Sequence, residues 1–351
     1  MRITDKYGYM GNTGLQVSRI ALGCGFRGLS EKKEAVETIS RVMDAGVNFI
    51  DCANVYRLRN GIHAEEALGE ALKGRRRDFI ITSKFGNPFN EKCRVPNDCG
   101  ASRANMIKFI EGSLRRLQTD YIDICFLHLP DFHTSYEELL LGFDQLWREG
   151  KIRYAGLCNH DAWQIATINE MSRRLGTCPI SVIQNPYNLL NRSAERELWP
   201  MAGYHRLGTM VYSPLAAGLL GGDFAHGKNP PEKSTWSYDV SYAEYLKYVF
   251  PGRIEKIVNI VDELAGKYHT ASAAIAAFWV LKNRQVTSLI AGTDTAEEFA
   301  DFLKVYDLEM NEEDIQILDE ISEGMEEVFI HFEVEKKVGQ LKEKAMKTAG
   351  L

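Results

Sequence analysis

Phe79-Ile-Ile-Thr-Ser-Lys84 is a β-rich run of six residues that closes on a charged side chain. Its length and composition are those of a short strand. Moving outward, residues 103–117 place Met106, Ile107, Ile110, Leu114 and Leu117 at helical spacing, which gives one inward face. The next run, Asp123-Ile-Cys-Phe-Leu-His128, is again strand-like and again ends on a polar residue. The same rhythm continues in both directions. Strand candidates fall at 19–23, 48–53, 79–84, 123–128, 153–158, 182–187, 209–215 and 286–292. Helical stretches at 33–45, 64–73, 103–117, 136–149, 162–174 and 194–204 alternate with them, and Gly46, Gly74, Gly150, Gly176 and Gly208 punctuate helix ends. Eight βα units predict a closed (β/α)8 TIM barrel. A doubly wound sheet is the alternative, and it wants a glycine-rich turn that opens a helix directly after the first strand. Gly23-Cys-Gly25-Phe-Arg-Gly28 supplies glycines, but the first helical stretch begins only at residue 33. The barrel is the better reading.

The chain has 351 residues, 45% hydrophobic and 26% charged, which suits one barrel domain over 1–351 with its core at about 19–305. A net charge of -6 argues against a nucleic-acid or anionic-membrane partner. No apolar run approaches the ~20 residues of a membrane helix. The first residues, Met1-Arg-Ile-Thr-Asp-Lys-Tyr7, carry no apolar signal core, so a cytoplasmic protein is expected. Of seven cysteines, Cys24, Cys52, Cys125 and Cys158 fall in strand runs, where thiols behave as small hydrophobes. Cys93 and Cys99 share a loop with Asp98 but match no zinc spacing, so free thiols and no metal are expected.

Asn12-Thr-Gly14, between apolar flanks, predicts a β-hairpin capping the barrel floor. Residues 221–251 are rich in Gly, Pro and aromatics and read as a long functional loop. The tail, 320–351, reads as a charged helical extension.

Four polar residues stand at or just past strand ends: Asp51, Tyr56, Lys84 and His128. Parallel strands in one barrel bring such ends to a common mouth. Each residue has a plainer reading on its own: a turn cap, loop packing, a solvated lysine, a core histidine. Lys84 is the hardest to dismiss, because an ammonium there needs a carboxylate, and Asp51 ends the preceding strand.

The sequence resembles the aldo-keto reductases from the hairpin at Met10 to about Leu308. The phrases that carry the resemblance are Asp51-x-Ala-x-x-Tyr56, Thr82-Ser-Lys84, Leu127-His-Leu-Pro-Asp131, Gly150-Lys-Ile-Arg-Tyr-Ala-Gly156, Gln184-Asn-Pro-Tyr187 and Tyr212-Ser-Pro-Leu-Ala-Ala-Gly-Leu-Leu220. The resemblance implies hydride transfer between a nicotinamide and a carbonyl or alcohol carbon. Tyr56 would move the proton, Lys84 would lower its pKa from the usual ~10, Asp51 would hold Lys84, and His128 would orient the substrate oxygen.

The resemblance also implies a cofactor site. Tyr212 would stack on the nicotinamide, and Asn159, Gln184 and Cys158 (usually Ser) would hold its carboxamide. Ser213, Leu215 and Gly218 would line the pyrophosphate, with Gly25 and Gly292 at the adjoining strand ends. The last loop, Gly292-Thr-Asp294-Thr-Ala-Glu-Glu298, carries acids where reductases preferring NADPH tend to carry a basic residue or Ser. Carboxylates repel a 2′-phosphate and accept from a ribose hydroxyl, so Asp294 and Glu298 predict NAD over NADP. Their plainer reading is a helix cap.

Arg57-Leu-Arg-Asn-Gly-Ile-His-Ala64 is longer and more basic than the usual family loop. Arg57 or Arg59 would reach an anionic or polyhydroxylated substrate, and Tyr187 and Trp236 would stack on a sugar face; solvated arginines and ordinary aromatic packing are the alternatives. The expected partner is therefore a small-molecule sugar, polyol or hydroxy-carbonyl. The competing class is a cofactor-sensing auxiliary subunit with little turnover.

Overall fold

The computed structural model describes residues 1–86, 98–228, 246–247 and 250–326. Its chain opens with an antiparallel hairpin, β1 (Tyr7–Tyr9) against β2 (Gln16–Ser18), with Tyr7 opposite Ser18. The turn is closed by the Thr13 hydroxyl on the Met10 carbonyl at 2.7 Å. Met10 and Val17 are fully buried and plug the barrel floor against Ala21, Phe49, Ile124 and Met210.

Eight parallel strands follow: β3 (Ile20–Gly23), β4 (Phe49–Asp51), β5 (Ile80–Phe85), β6 (Ile122–Leu127), β7 (Ile152–Cys158), β8 (Ile180–Pro186), β9 (Gly208–Tyr212) and β10 (Ser288–Gly292). β10 pairs with both β9 and β3, so the sheet closes. Alternate residues point inward. Phe126 fills the interior, and Gly156 on β7 leaves the space its ring takes.

The outer helices are α1 (Lys32–Asp44), α2 (Ala64–Ala71), α3 (Arg103–Leu117), α4 (Tyr136–Arg148), α5 (Ala162–Leu175), α6 (Leu198–His205), α7 (Arg253–Lys267), α8 (Ser272–Lys282), α9 (Ala296–Leu303) and α10 (Glu312–Ile321). Their buried faces repeat at helical spacing, as in α4 with Leu139, Leu140, Phe143 and Leu146. Ser102, Ser135, Thr295 and Asn311 cap α3, α4, α9 and α10 by accepting a backbone N–H.

Three local expectations change. The helix expected over 194–204 is split into a 3-10 turn, Ser193–Glu195, and α6. Pro200 explains the break, since its ring clashes with a carbonyl four residues back and so bars a helix running in from Arg196. Gly208 is no helix cap. Arg206, at φ 53°, closes α6, and Gly208 lies where Met10 leaves no room for a Cβ. Cys99 is disulfide-bonded, which corrects the free thiol expected there: a spacing that matches no zinc pattern still permits a disulfide. Cys93, Trp236, most of the 221–251 stretch and the tail from 327 lie outside the described residues.

Candidate active site

Asp51 ends β4 and Lys84 is the fifth residue of β5. Both point into the barrel mouth, and Lys84 Nζ donates to Asp51 Oδ2 at 2.6 Å. Neither side chain reaches water, with exposures of 0% and 3%. The rest of the shell is complete. Lys84 Nζ also donates to the Cys52 carbonyl at 3.0 Å and reaches Tyr56 Oη at 3.4 Å. Asp51 Oδ1 accepts from Thr82 Oγ1 at 2.6 Å and from Gln184 Nε2 at 2.9 Å. Burial opposes the Lys84 charge, yet Asp51, Tyr56 and Cys158 hold its pKa well above the ordinary lysine value.

Tyr56 arrives on the loop after β4 and is half-buried. Its ring meets the His128 ring edge-on, centroids 6.0 Å apart. The structure thus brings Asp51, Tyr56, Lys84 and His128 to one point. The Lys84 ammonium does lower the Tyr56 pKa, as expected, but it does not prevail. Burial pushes the Tyr56 phenol up to about 12, and the Lys84 ammonium offsets that only in part. Burial, then the Lys84 charge, pushes His128 down to about 3. At neutral pH the mouth therefore holds a neutral phenol, a neutral imidazole and an ion pair. Phenol and imidazole each have one hydrogen to donate to an oxygen placed between them.

Beside this group runs a chain of amides. Tyr212 Oη donates to Asn159 Oδ1 at 2.7 Å, and Asn159 Nδ2 donates to the His128 carbonyl at 2.9 Å. Cys158 Sγ lies 3.5 Å from Gln184 Oε1, its pKa pushed to about 12 by burial. Asn159 adopts a left-handed conformation, φ 61°, which asparagine tolerates better than most residues. The carbonyl oxygens of Asn159 and Gln184 each have a second lone pair with which to accept a carboxamide N–H.

After β9 the backbone turns left-handed at Ser213 (φ 54°), Ala216 (48°), Ala217 (57°) and Gly218 (101°). Successive turns of this kind make concave backbone seats for anions. A Cβ at Gly25, Gly218 or Gly292 would meet nothing within 4 Å, so all three backbones can be approached closely. Asn54 Oδ1 and Thr293 Oγ1, near the same strand ends, are buried without a hydrogen-bond partner among the described residues. An extended dinucleotide fits this set: open backbone at three glycines, an anion seat after β9 and an aromatic ring at Tyr212.

The acids of the last loop divide. Glu298 takes up the backbone N–H groups of Asp294 and Thr295 in a capping box with Thr295, its plainer reading. Asp294 instead crosses to the β3 loop, where its Oδ2 accepts the Gly28 N–H at 2.7 Å. Burial raises its pKa, opposed by Gly28 and by the nearby Arg59 and Arg27.

The 57–63 loop is a small hairpin, closed by Leu58 N–H to the Ile62 carbonyl at 2.9 Å and anchored by buried Leu58. Arg59 Nε donates to the Arg27 carbonyl at 2.8 Å, so it turns toward the β3 loop. Arg57 stays exposed next to Tyr56. Tyr187 is packing: it stacks on Trp279 at 5.1 Å, meets Trp199 edge-on and donates to Glu195 at 2.6 Å. Thr82 is a site residue the sequence reading omitted. Its place two residues before Lys84, on the same strand face, is the signal that finds it.

Buried titratable side chains at the strand C-termini of a closed barrel stand where enzymes of this fold carry their active sites, and comparison identifies the family. A model of the aldo/keto reductase family matches residues 19–323. The chain is 32% identical over 325 residues to YrpG of Bacillus subtilis, an uncharacterized oxidoreductase, covering 91% of this chain and 96% of that protein. It is 30% identical over 346 residues to a putative aryl-alcohol dehydrogenase of Schizosaccharomyces pombe, covering 90% and 95%. A probable voltage-gated potassium channel subunit beta of Oryza sativa is 32% identical over 311 residues, covering 86% and 92%. This chain belongs to the aldo/keto reductase family, and it is an oxidoreductase acting on carbonyl and alcohol groups. Among the described residues no helix is long and apolar enough to cross a membrane.

Proposed function

We propose that the chain interconverts a carbonyl and an alcohol with Tyr56 as the proton-transfer group and NAD(H) as the preferred cofactor. The observation that carries this is the position of Lys84 Nζ, 2.6 Å from Asp51 Oδ2 and 3.4 Å from Tyr56 Oη. The bound nicotinamide supplies or accepts the hydride. Everything else falls to the protein. Tyr56 and His128 each direct one N–H or O–H at the substrate oxygen, which holds it and stabilises the negative charge that develops in reduction. Tyr56 then gives its proton, and the adjacent Lys84 ammonium stabilises the phenolate left behind. Asp51, fully hydrogen-bonded, keeps that ammonium in place. In oxidation the phenolate is the base.

Tyr212, Asn159, Gln184 and Cys158 would hold the nicotinamide end, and Ser213, Leu215, Gly218, Gly25 and Gly292 the pyrophosphate. The NAD(H) preference rests on Asp294, because Glu298 is absorbed in its capping box. A half-buried carboxylate repels a 2′-phosphate and accepts from a ribose hydroxyl. For the substrate we favour a sugar, polyol or related hydroxy-carbonyl, with exposed Arg57 beside Tyr56 as its contact. A cytoplasmic location goes with this reading: five cysteines among the described residues are buried free thiols, although Cys99 is disulfide-bonded.

The likeness to a channel β subunit supports a second reading, a nucleotide-binding subunit with little turnover. One experiment separates the two. Sugars, polyols and simple aldehydes are screened with NAD(H) and NADP(H) by nicotinamide absorbance. Turnover of a hydroxy-carbonyl with NAD(H) supports the proposal; tight nucleotide binding with negligible turnover on every compound supports the subunit.

A further inference from the structure

Glu65 has no part in the chemistry above, yet it is fully buried at the second position of α2. Its Oε1 accepts the Ser83 hydroxyl at 2.6 Å, and its Oε2 accepts Arg116 Nε at 2.6 Å. A carboxylate removed from water is stable only with such donors. The informative point is which segments it joins. Ala64, its neighbour, donates its backbone N–H to the Tyr56 carbonyl at 3.0 Å, so the first turn of α2 is tied to the Tyr56 segment. Ser83 precedes Lys84 on β5, and the strand period sends their side chains to opposite faces. The Ser83–Glu65 bond therefore lies behind the barrel wall, and the 3.4 Å Lys84–Tyr56 contact lies in front of it.

We infer that Glu65 is a positioning residue: by clasping Ser83 it sets the separation between the Tyr56 hydroxyl and the Lys84 ammonium. The inference rests on the proton-transfer role proposed for Tyr56. Without the clasp, the front contact is fixed by the Tyr56 backbone and by the Lys84 bonds to Asp51 and to the Cys52 carbonyl, none of which spans from β5 to the Tyr56 segment through α2. That contact is long for a hydrogen bond, so a small outward movement separates the charge from the phenol it stabilises. Arg116, on α3, balances the Glu65 charge and leaves its second oxygen for Ser83.

Ser83→Ala removes the clasp with a minimal change of volume and keeps the Glu65–Arg116 pair, and its fold is checked against the parent by circular dichroism. Its kcat is expected to fall about ten-fold, the scale of a small misplacement of catalytic groups. Cofactor affinity, read by fluorescence titration, stays at the parent value. The limb of the pH profile for alcohol oxidation moves to higher pH, because the phenol has lost part of its cationic neighbour. Ser83→Thr restores the hydroxyl and both readouts. A Ser83→Ala enzyme whose kcat and pH limb overlay the parent's overturns the inference, as does a loss that Ser83→Thr leaves unrepaired. Tyr56→Phe is run alongside. Should it keep full activity, the proton-transfer reading itself fails; should it lose activity while Ser83→Ala does not, only the clasp fails.

Discussion

Lys84 and Asp51 form an ion pair at 2.6 Å with neither side chain open to solvent. Removing one partner of such a pair strands a charge where water cannot reach it. Lys84→Met is therefore expected to lose roughly 3–5 kcal/mol of stability. Urea denaturation of the two proteins measures it. A difference within experimental error would mean that the mouth is wetter than its burial shows.

His128 is neutral through the working range because burial and Lys84 push it down to about 3. The pH profile should accordingly show no limb near the ordinary histidine value of about 6.5. His128→Ala should lower kcat by about 10²-fold at unchanged cofactor affinity, the scale of one lost donor to a developing oxyanion. Steady-state rates across pH for both proteins provide the check; an ordinary histidine limb would contradict the neutral-donor role.

His160 gives a stability prediction. It is buried, its Nδ1 lies 2.7 Å from the Cys158 carbonyl, and burial pushes its pKa to about 4. Its folded value lies below its unfolded one, so the unfolded chain binds the proton more readily. The stabilisation is complete above about pH 6.5 and is lost as pH falls toward about 4, amounting to roughly 3 kcal/mol. His160→Asn should flatten the stability curve across that window. Denaturation midpoints at several pH values would show a curve as steep as the parent's if His160 were not the cause.

Asp294 is predicted to set cofactor choice. The parent should use NAD(H) at least ten-fold more efficiently than NADP(H), and Asp294→Ser should erase most of that ratio. Comparison of kcat/KM for both cofactors decides it. A large NADP(H) advantage in the parent would contradict the assignment.

The eight strands were legible because each is a short apolar run bounded by turn residues, and all eight form. Closure was less direct. Gly23, Gly25 and Gly28 do stand at the spacing of a dinucleotide turn, but α1 starts only at Lys32 and β10 returns to pair with β3. The strand-end residues Asp51, Lys84 and His128 could be read because parallel strands share one exit. What could not be read is contact across the barrel, such as Gln184 on Asp51 over a separation of 133 residues. Tyr187 misled because its position does not reveal Trp279 stacked on it. For the Tyr56 phenol the sequence names the Lys84 charge, which does lower the pKa, but not the burial that outweighs it.

The central claim is that Tyr56 moves the proton. Single-turnover reduction of a substrate by enzyme loaded with reduced nicotinamide, comparing the parent with Tyr56→Phe, isolates that step. The account predicts a fall of about 10²–10⁴-fold in the rate of hydride transfer with nucleotide affinity unchanged. A Tyr56→Phe enzyme that turns over at the parent's rate would contradict it.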